Sequence, residues 1–209
     1  MDNKNNNATV TGLLSELVED HAVLGERFYV GQIKCARLSG NEDLIPVTIP
    51  ERLLGTKQAE EILGPITVRG QIRSYNKVIN GISRLFLTLF AQDFKTPEAG
   101  APQNHVVIEG VVCRTPNFRV TPFGREICDL MIVVPRQYNK GDYVPSIVWG
   151  RNGRWASTLK TGDRVAVTGR FQSREYEKLL DNGETEKRTA YEISAFNITR
   201  AAEETRAPA

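Results

Sequence analysis

The chain repeats itself at a spacing of 99 residues. Gly25 and Asp43 lie 18 residues apart, and Asp43 and Gly70 lie 27 apart. The same two intervals return without a gap in the second half, at Gly124, Asp142 and Gly169. A period this long is that of a whole domain rather than of a stacked solenoid unit. The repeat therefore predicts two related domains within 209 residues, each of ordinary size for a small domain.

Charge differs between the halves although the net charge of the chain is only +2. Residues 1–99 carry 11 basic and 12 acidic side chains, whereas residues 100–209 carry 16 and 13. The excess is concentrated at 104–178, with 12 basic against 7 acidic side chains. Such an excess indicates an anionic partner for the second half, although a solvated surface of mixed charge remains the alternative.

Several classes of function find no support in the sequence. The three cysteines, Cys35, Cys113 and Cys128, form no CxxC pair, and His21 and His105 have no partner at metal-ligand spacing. We therefore expect free thiols, no metal, no cofactor and no catalytic residues. A polar start and the lack of any apolar run near ~18 residues predict neither a signal peptide nor a membrane span, and so a cytoplasmic protein.

The second half reads as five strands and a helix with glycines at the bends. Branched and aromatic residues predict the strands, Gly110 and Gly169 lie inside two of them, and the helix is expected over 154–160. The predicted strands span 106–112, 127–134, 143–149, 164–171 and 189–198. This order is that of the OB-fold, a five-stranded Greek-key barrel with a helix between strands three and four.

The first half follows the same order with a shorter final loop. Its strands are expected at 9–13, 28–38, 44–49, 66–75 and 84–94, with a helix over 51–63. Pro97, Gly100 and Pro102 give residues 97–103 the composition of a linker. The fold class is therefore mainly all-β, as two tandem OB-folds with one short helix each. The expected divisions are a diverged domain at 1–96, a linker at 97–103, a second domain at 104–200 and a short flexible tail at 201–209.

The motifs of the second half resemble those of the bacterial single-stranded-DNA-binding protein family. They are Asn104-x5-Gly110, Val148-Trp149-Gly150-Arg151, the run from Lys160 to Arg170, and Ser173-Arg174-Glu175-Tyr176. The first half is similar to the family only through the internal repeat. The resemblance implies a non-enzymatic protein that coats single-stranded DNA in replication, recombination or repair, in the cytoplasm at the nucleoid. It also implies a homodimer, because the family habitually assembles four OB domains, with replication or recombination proteins as further partners.

Aromatic and cationic side chains supply the candidate binding site. The resemblance assigns base stacking to Tyr143, Trp149 and Tyr176, with Tyr138 as a fourth candidate, because bases stack on aromatic rings whatever their sequence. A core position is the alternative for Trp149, and the helical spacing of Trp155 predicts that this second tryptophan is buried. The candidate phosphate ligands are Arg114, Arg119, Arg136, Arg151, Arg154, Arg170, Arg174 and Lys178.

The first half departs from this pattern. Leu44, Pro50 and Glu51 stand where the second half has Tyr143, Trp149 and Gly150. A secondary binding set remains at Arg69, Arg73, Tyr75 and Lys77. This loss leaves open a second hypothesis, a replication-restart or assembly subunit whose OB domains bind mainly proteins. The tail at 201–209 carries two acids and one base, so we do not expect the acidic recruitment tip of the family.

Overall fold

The computed structural model describes residues 5–37, 39–79, 81–99, 104–179 and 183–201. Most of the predicted tail and part of the predicted linker thus lie outside the described residues. Eleven strands and one α-helix are found in the described ranges. The strands are β1 Asn6–Val23, β2 Glu26–Ala36, β3 Glu42–Pro50, β4 Gly64–Ile79, β5 Ile82–Lys95, β6 Asn104–Val112, β7 Asn117–Val120, β8 Glu126–Pro135, β9 Gly141–Trp149, β10 Arg164–Leu179 and β11 Thr185–Arg200, and the helix is α1 Gly150–Ala156.

Two compact units account for the described residues. The first-repeat unit comprises Asn7–His105 together with Phe171–Glu192. The second-repeat unit comprises Val106–Arg170 with residues 5–6 and 193–201. The outer halves of β10 and β11 therefore pack with the first repeat. Each unit thus combines segments from both halves of the chain. The predicted boundary at 97–103 stays a prediction.

Each unit contains a closed five-stranded barrel, which confirms the predicted fold class. In the first-repeat unit the strand order is β2-β3-β5-β4-β1, and β1 pairs with β2 to close it. In the second-repeat unit the order is β6-β10-β11-β9-β8, closed between β6 and β8, with β7 added at the edge of β8. The buried apolar side chains fill the barrels, for example Ile33, Ile45 and Ile72 in one and Ile108, Ile132 and Val167 in the other.

The internal repeat persists in the strand pairing. One parallel pairing occurs in each barrel, Val47 with Leu89 in the first and Ser146 with Ile193 in the second. Val47 and Ser146 are 99 residues apart, whereas Leu89 and Ile193 are 104 apart. The difference of five residues matches the shorter last loop expected for the first half. In both barrels the parallel pairing starts just after a proline, Pro46 or Pro145, which has no N–H to donate to a ladder.

Glycines occur where two backbones approach closely. A Cβ at Gly70 would lie 2.0 Å from the carbonyl oxygen of Phe90, and a Cβ at Gly169 would lie 2.3 Å from that of Ser194. No side chain fits at these distances, so the strands can bend into a barrel there only with glycine. The bend that the sequence predicts at Gly169 is thus explained by steric contact, and Gly70 is its counterpart in the first repeat.

Three local predictions are wrong. The helix expected over 51–63 is replaced by two 3-10 turns, Glu51–Leu53 and Ala59–Ile62, separated by Gly55 at a φ of +61°. The second helix starts at Gly150, four residues earlier than expected. No strand is predicted between 112 and 127, where the structure has β7 with Pro116 and Pro122 close to its two ends.

Candidate nucleic-acid interface

Strand β9 presents two aromatic rings on one face. Tyr143 and Trp149 are six residues apart and remain 50% and 37% exposed, while Val144 and Val148 on the other face are buried in the barrel. Six residues of strand span about 20 Å. The face between the rings is completed by the cross-strand neighbours on β8, such as Met131 opposite Pro145. The arrangement gives two stacking surfaces at opposite ends of one rigid strand.

The ring of Trp149 is held in place at one edge. Its Nε1 donates a hydrogen bond of 3.1 Å to Oγ of Ser194 on the neighbouring β11. Helix α1 begins directly after it and approaches β9 closely, because a Cβ at Gly153 would lie only 2.7 Å from the carbonyl oxygen of Val148. One edge of the indole is therefore fixed while a large part of the ring stays accessible. Sequence reasoning did not identify Ser194, since no local signal connects positions 45 residues apart.

Tyr138 lies at the tip of the turn that joins β8 to β9. The backbone N–H of Arg136 donates to the carbonyl oxygen of Lys140 at 2.8 Å, and Tyr138 and Asn139 both adopt positive φ, 60° and 53°. This turn projects the phenol outwards, with 89% of the residue exposed. Tyr138 is thus accessible, as the sequence prediction requires.

The predicted burial of Trp155 is wrong. Trp155 is 37% exposed, the same value as Trp149. The helix has only two turns, and the small residues Gly153 and Ala156 form its buried face. A large indole next to this face is left at the surface.

Most of the predicted cations are at the surface of the unit in which they lie. Arg114 and Arg151 are exposed, Arg154 pairs with Glu126 at 2.8 Å, and Arg170 is half-buried. Arg136 pairs with the fully buried carboxylate of Asp142 at 3.4 Å. The role of Arg136 is therefore at least partly structural, because it compensates a buried charge.

The remaining candidates lie in the first-repeat unit. Tyr176 is 37% exposed, and the guanidinium of Arg174 lies over its ring at 5.5 Å from the centroid. Arg174 also pairs with Glu192 at 3.3 Å, while Lys178 is exposed. The same unit contains the secondary set Arg69, Arg73, Tyr75 and Lys77. The structure thus divides the predicted site residues into two groups, one on each unit.

Strand β3 of the first barrel has no aromatic residue at the positions that correspond to Tyr143 and Trp149, although half-buried Phe28 on β2 is opposite Pro50. Leu44 is half-buried and Pro50 is buried. Glu51 accepts a hydrogen bond of 3.0 Å from Nε of Arg27, and hydrogen bonds from Arg27 hold the pKa of the Glu51 carboxyl below its usual value. An ion pair is thus found at the position that corresponds to Gly150 of the second repeat.

Further exposed aromatic residues were missed in the sequence. The hairpin of β7 and β8 leaves Phe118 at 39% and Phe123 at 92% exposure. On the same hairpin Nε of Arg119 donates to Oδ2 of Asp129 at 2.6 Å. The neighbouring Gly124 could have indicated that Phe123 lies at an exposed turn, because this glycine takes a positive φ of 75° at the tip of the hairpin.

The described residues contain no candidate metal site and no candidate membrane-spanning helix. None of their His, Cys, Asp and Glu side chains form a group of three that could hold a metal ion. No helix in the described ranges is long and apolar enough to cross a membrane. All three cysteines are free, with Cys35 and Cys128 buried.

Known proteins with similar sequences include single-stranded DNA-binding proteins. The model of the single-strand binding protein family matches residues 103–201. A single-stranded DNA-binding protein of Treponema pallidum is 30% identical over 106 residues, covering 47% of this chain and 57% of the relative. That of Oceanobacillus iheyensis is 32% identical over 81 residues, covering 35% and 50%. The chain thus spans about half the length of the curated relatives it matches.

The fold of the whole chain is similar to that of a solved two-unit structure. The wild-type single-stranded DNA binding protein of Thermus aquaticus superposes with a TM-score of 0.72, covering 98% of this chain and 95% of that one. At 20% identity the likeness establishes the fold, and it extends over both repeats. Residues 103–201 are therefore similar to the single-strand binding protein family, and the chain as a whole carries two OB-folds in tandem.

Proposed function

We propose that the protein binds single-stranded DNA without sequence preference and without catalysis, and protects it during replication, recombination or repair. The observation that carries the proposal is the pair of accessible rings, Tyr143 and Trp149, on one face of β9. Unpaired bases offer free π-faces, and each base stacked on an aromatic ring contributes roughly 1–3 kcal/mol. Duplex DNA hides these faces, so the same surface discriminates against it.

Cations at the surface of each unit support the same function. Arg151 lies two residues after Trp149, and Arg114, Arg154 and Arg170 belong to the same unit. Neutralising a phosphate releases condensed counterions, which contributes affinity that does not depend on base identity. In the first-repeat unit Arg174 and Tyr176 form a mixed cation–aromatic site, where the guanidinium can contact phosphate while the ring stacks on a base.

A homodimer with four OB barrels is the assembly we propose. Strand β1 exposes Leu13 and Val18, which remain 46% and 56% accessible. Apolar side chains and strand edges of this kind favour pairing with a second copy. The protein would then act at the nucleoid in the cytoplasm, together with replication or recombination proteins.

The loss of both aromatic residues from β3 of the first barrel favours one alternative. The Arg27–Glu51 pair gives the end of this strand a polar surface on which the two charges neutralise each other. A replication-restart or assembly subunit would use such a surface for protein contacts and would bind DNA weakly. The affinity for oligo-dT therefore separates the two functions.

The test compares two tryptophans that differ in position and not in exposure. Trp149→Ala is expected to weaken oligo-dT binding by roughly 1–3 kcal/mol, the contribution of one stacked base. Trp155→Ala, at the same 37% exposure, is the matched control and is expected to leave the affinity unchanged. Trp149→Phe retains a ring and should restore most of the binding.

The readout is fluorescence anisotropy of labelled oligo-dT, with duplex DNA as a competitor. The fluorescence of the wild-type protein should also be quenched by unlabelled oligo-dT. A wild-type chain that binds oligo-dT no better than duplex would contradict the proposal and favour the protein-binding alternative. A large fall in the melting temperature of Trp149→Ala with unchanged affinity would assign Trp149 to the core.

A further inference from the structure

The hairpin that joins β1 to β2 projects from the first barrel and ends in apolar side chains. All residues from 19 to 23 are exposed, so neither face of β1 packs against the barrel there. Leu24 and Gly25 form the tip, with positive φ values of 50° and 85°. Leu24 is fully exposed, and its neighbour Val23 is 50% exposed. Two adjacent apolar side chains at a protruding tip offer a contact surface to a partner.

This hairpin is acidic as well as apolar. Residues 14–26 carry four acidic side chains and neither Lys nor Arg. Three of the four, Glu16, Glu19 and Asp20, are exposed. A surface of this charge repels the phosphates of a nucleic acid, and the partner that it fits is a positively charged surface. We call residues 14–26 the acidic hairpin.

The hairpin of β7 and β8 is the equivalent element of the second repeat, and its charge is opposite. Residues 113–125 lie 99 residues after the acidic hairpin and carry three arginines and no acidic side chain. All three arginines are exposed, namely Arg114, Arg119 and Arg125. Every residue of β7 is exposed, so this hairpin also projects from its barrel. We call residues 113–125 the basic hairpin.

The two tips correspond residue by residue. Phe123 stands in the basic hairpin where the acidic hairpin has Leu24, and both side chains are exposed. Arg125 stands where the acidic hairpin has Glu26. Each of these residues flanks the glycine at the tip of its hairpin. The chain therefore carries two projecting hairpins that are both apolar at the tip and have opposite charges.

Ion pairs within each unit compensate part of this charge. They involve Glu19 and Glu26 in the acidic hairpin and Arg119 in the basic hairpin. In the described ranges the other two carboxylates form no ion pair with Lys or Arg, and the other two arginines form none with Asp or Glu. Two negative charges thus remain on the acidic hairpin and two positive charges on the basic hairpin.

We propose that the acidic hairpin of one copy of this chain docks on the basic hairpin of a second copy. Leu24 packs against Phe123, and the carboxylates of one tip face the arginines of the other. Each chain has one hairpin of each kind, so the contact is heterologous and joins copies head to tail. It is distinct from the proposed homodimer contact, which uses Leu13 and Val18 on β1.

The contact is small and partly electrostatic. Two hairpin tips bury far less surface than the roughly 1,200 Å² of a stable complex, so association is expected only well above micromolar concentration. Salt screens the charges, since the Debye length is only about 10 Å at 0.1 M. The head-to-tail association should therefore appear at low salt and disappear at high salt.

The test is complementation between two full-length variants in the absence of DNA. Asp20→Asn/Leu24→Ser alters only the acidic hairpin, and Phe123→Ser/Arg125→Gln alters only the basic hairpin. Sedimentation velocity at low salt follows the average mass from micromolar to millimolar protein. The mass of the wild-type protein should rise with concentration, and that of each variant alone should not. An equimolar mixture should regain the rise, because each variant retains the hairpin that the other has lost.

Val78→Ser/Glu98→Gln is the matched control. It removes one exposed apolar and one exposed acidic side chain from the first-repeat unit outside the acidic hairpin, and it should associate like the wild type. A wild-type mass that stays constant at low salt would overturn the proposal, as would a mixture that associates no better than its components. Loss of oligo-dT binding in Phe123→Ser/Arg125→Gln with unchanged self-association would instead assign the basic hairpin to DNA.

Photo-cross-linking identifies the segments in contact. A chain in which benzoylphenylalanine replaces Leu24 is mixed with isotope-labelled wild-type chain and irradiated, and the adducts are mapped by mass spectrometry. Adducts with labelled peptides from residues 113–125 support the proposal. Adducts confined to the probe's own chain, or to other parts of the labelled chain, would contradict it. The self-association and cross-linking experiments contain no DNA, so their outcome is independent of the proposed function.

Discussion

The backbone N–H of Ser173 donates a hydrogen bond of 2.9 Å to Oδ1 of Asp43, 130 residues away in the chain. Two further bonds fix the same serine, since its Oγ accepts from the N–H of Leu44 at 2.8 Å and its carbonyl oxygen accepts from Nη2 of Arg37 at 3.0 Å. Asp43 is 1% exposed and also accepts from Nε of Arg37 at 2.8 Å. The hairpin formed by the outer halves of β10 and β11 is thus hydrogen-bonded to the first barrel at Ser173.

Removing the Asp43 carboxylate should destabilise the protein strongly. Asp43→Ala leaves Arg37 without its buried acceptor, a change that typically costs about 3–5 kcal/mol. Ser173→Ala leaves the Leu44 N–H without its partner and should cost about 1 kcal/mol. Urea unfolding of the full chain measures both. Glu98→Ala, which breaks the exposed Lys95–Glu98 pair, is the control and should leave stability nearly unchanged. An Asp43→Ala variant as stable as this control would contradict the anchoring role.

Gly169 should not tolerate a methyl group. Gly169→Ala places a Cβ against the carbonyl oxygen of Ser194, and a backbone oxygen cannot turn aside as a side chain can. We expect a loss of about 3 kcal/mol in the free energy of unfolding. Gly124→Ala, at positive φ but with open space around it, should lose only about 1 kcal/mol. Equal losses would indicate that glycine is required at position 169 for its backbone conformation and not because the Ser194 carbonyl oxygen lies so close.

The thiol of Cys128 should be unreactive in the folded protein. Burial, and secondarily the charge of Asp129, raise the pKa of Cys128 to about 11. At pH 8 roughly one molecule in a thousand carries the thiolate that attacks alkylating reagents. Iodoacetamide labelling followed by peptide mapping should therefore modify half-buried Cys113 first and Cys128 only after unfolding. Fast labelling of Cys128 in native conditions would show that its strand opens locally.

Salt should separate assembly from DNA binding. If apolar contacts hold the proposed dimer, light scattering without DNA should report twice the chain mass of 23.4 kDa at both low and moderate salt. Oligo-dT affinity should instead fall with salt, by a slope of about −0.7 in log–log terms for each phosphate neutralised. A species of one chain at micromolar concentration would contradict the dimer and leave the binding proposal unaffected.

Local patterns in the sequence were sufficient to predict the barrel architecture. The bend predicted at Gly169 coincides with a close backbone approach that only glycine permits. Side chains alternate along a strand, so the spacing of six residues between Tyr143 and Trp149 is sufficient to indicate that they share a face, as they do on β9. Trp155 was wrongly predicted as buried, because helical spacing alone cannot tell which face of a two-turn helix packs inwards. The edge strand β7 escaped notice because it is four residues long and lies between prolines.

Contacts across the repeats could not be predicted in the same way. The internal symmetry suggested two equivalent domains, each with its own five strands. Nothing near Asp43 in the chain indicates that its partner is Ser173, and nothing near Trp149 points to Ser194. Non-local hydrogen bonds of this kind leave no periodic or compositional trace.

Strands β10 and β11 each belong to both compact units. β10 runs from Arg164 to Leu179 and changes unit after Arg170, and β11 runs from Thr185 to Arg200 and changes after Glu192. A fragment that ends or begins near residues 97–103 would therefore separate a hairpin from the barrel that anchors it. We therefore expect the two halves to depend on each other in folding, so that loss of structure in either one propagates along β10 and β11. We expect a single melting transition for the chain, where two independent modules would give two.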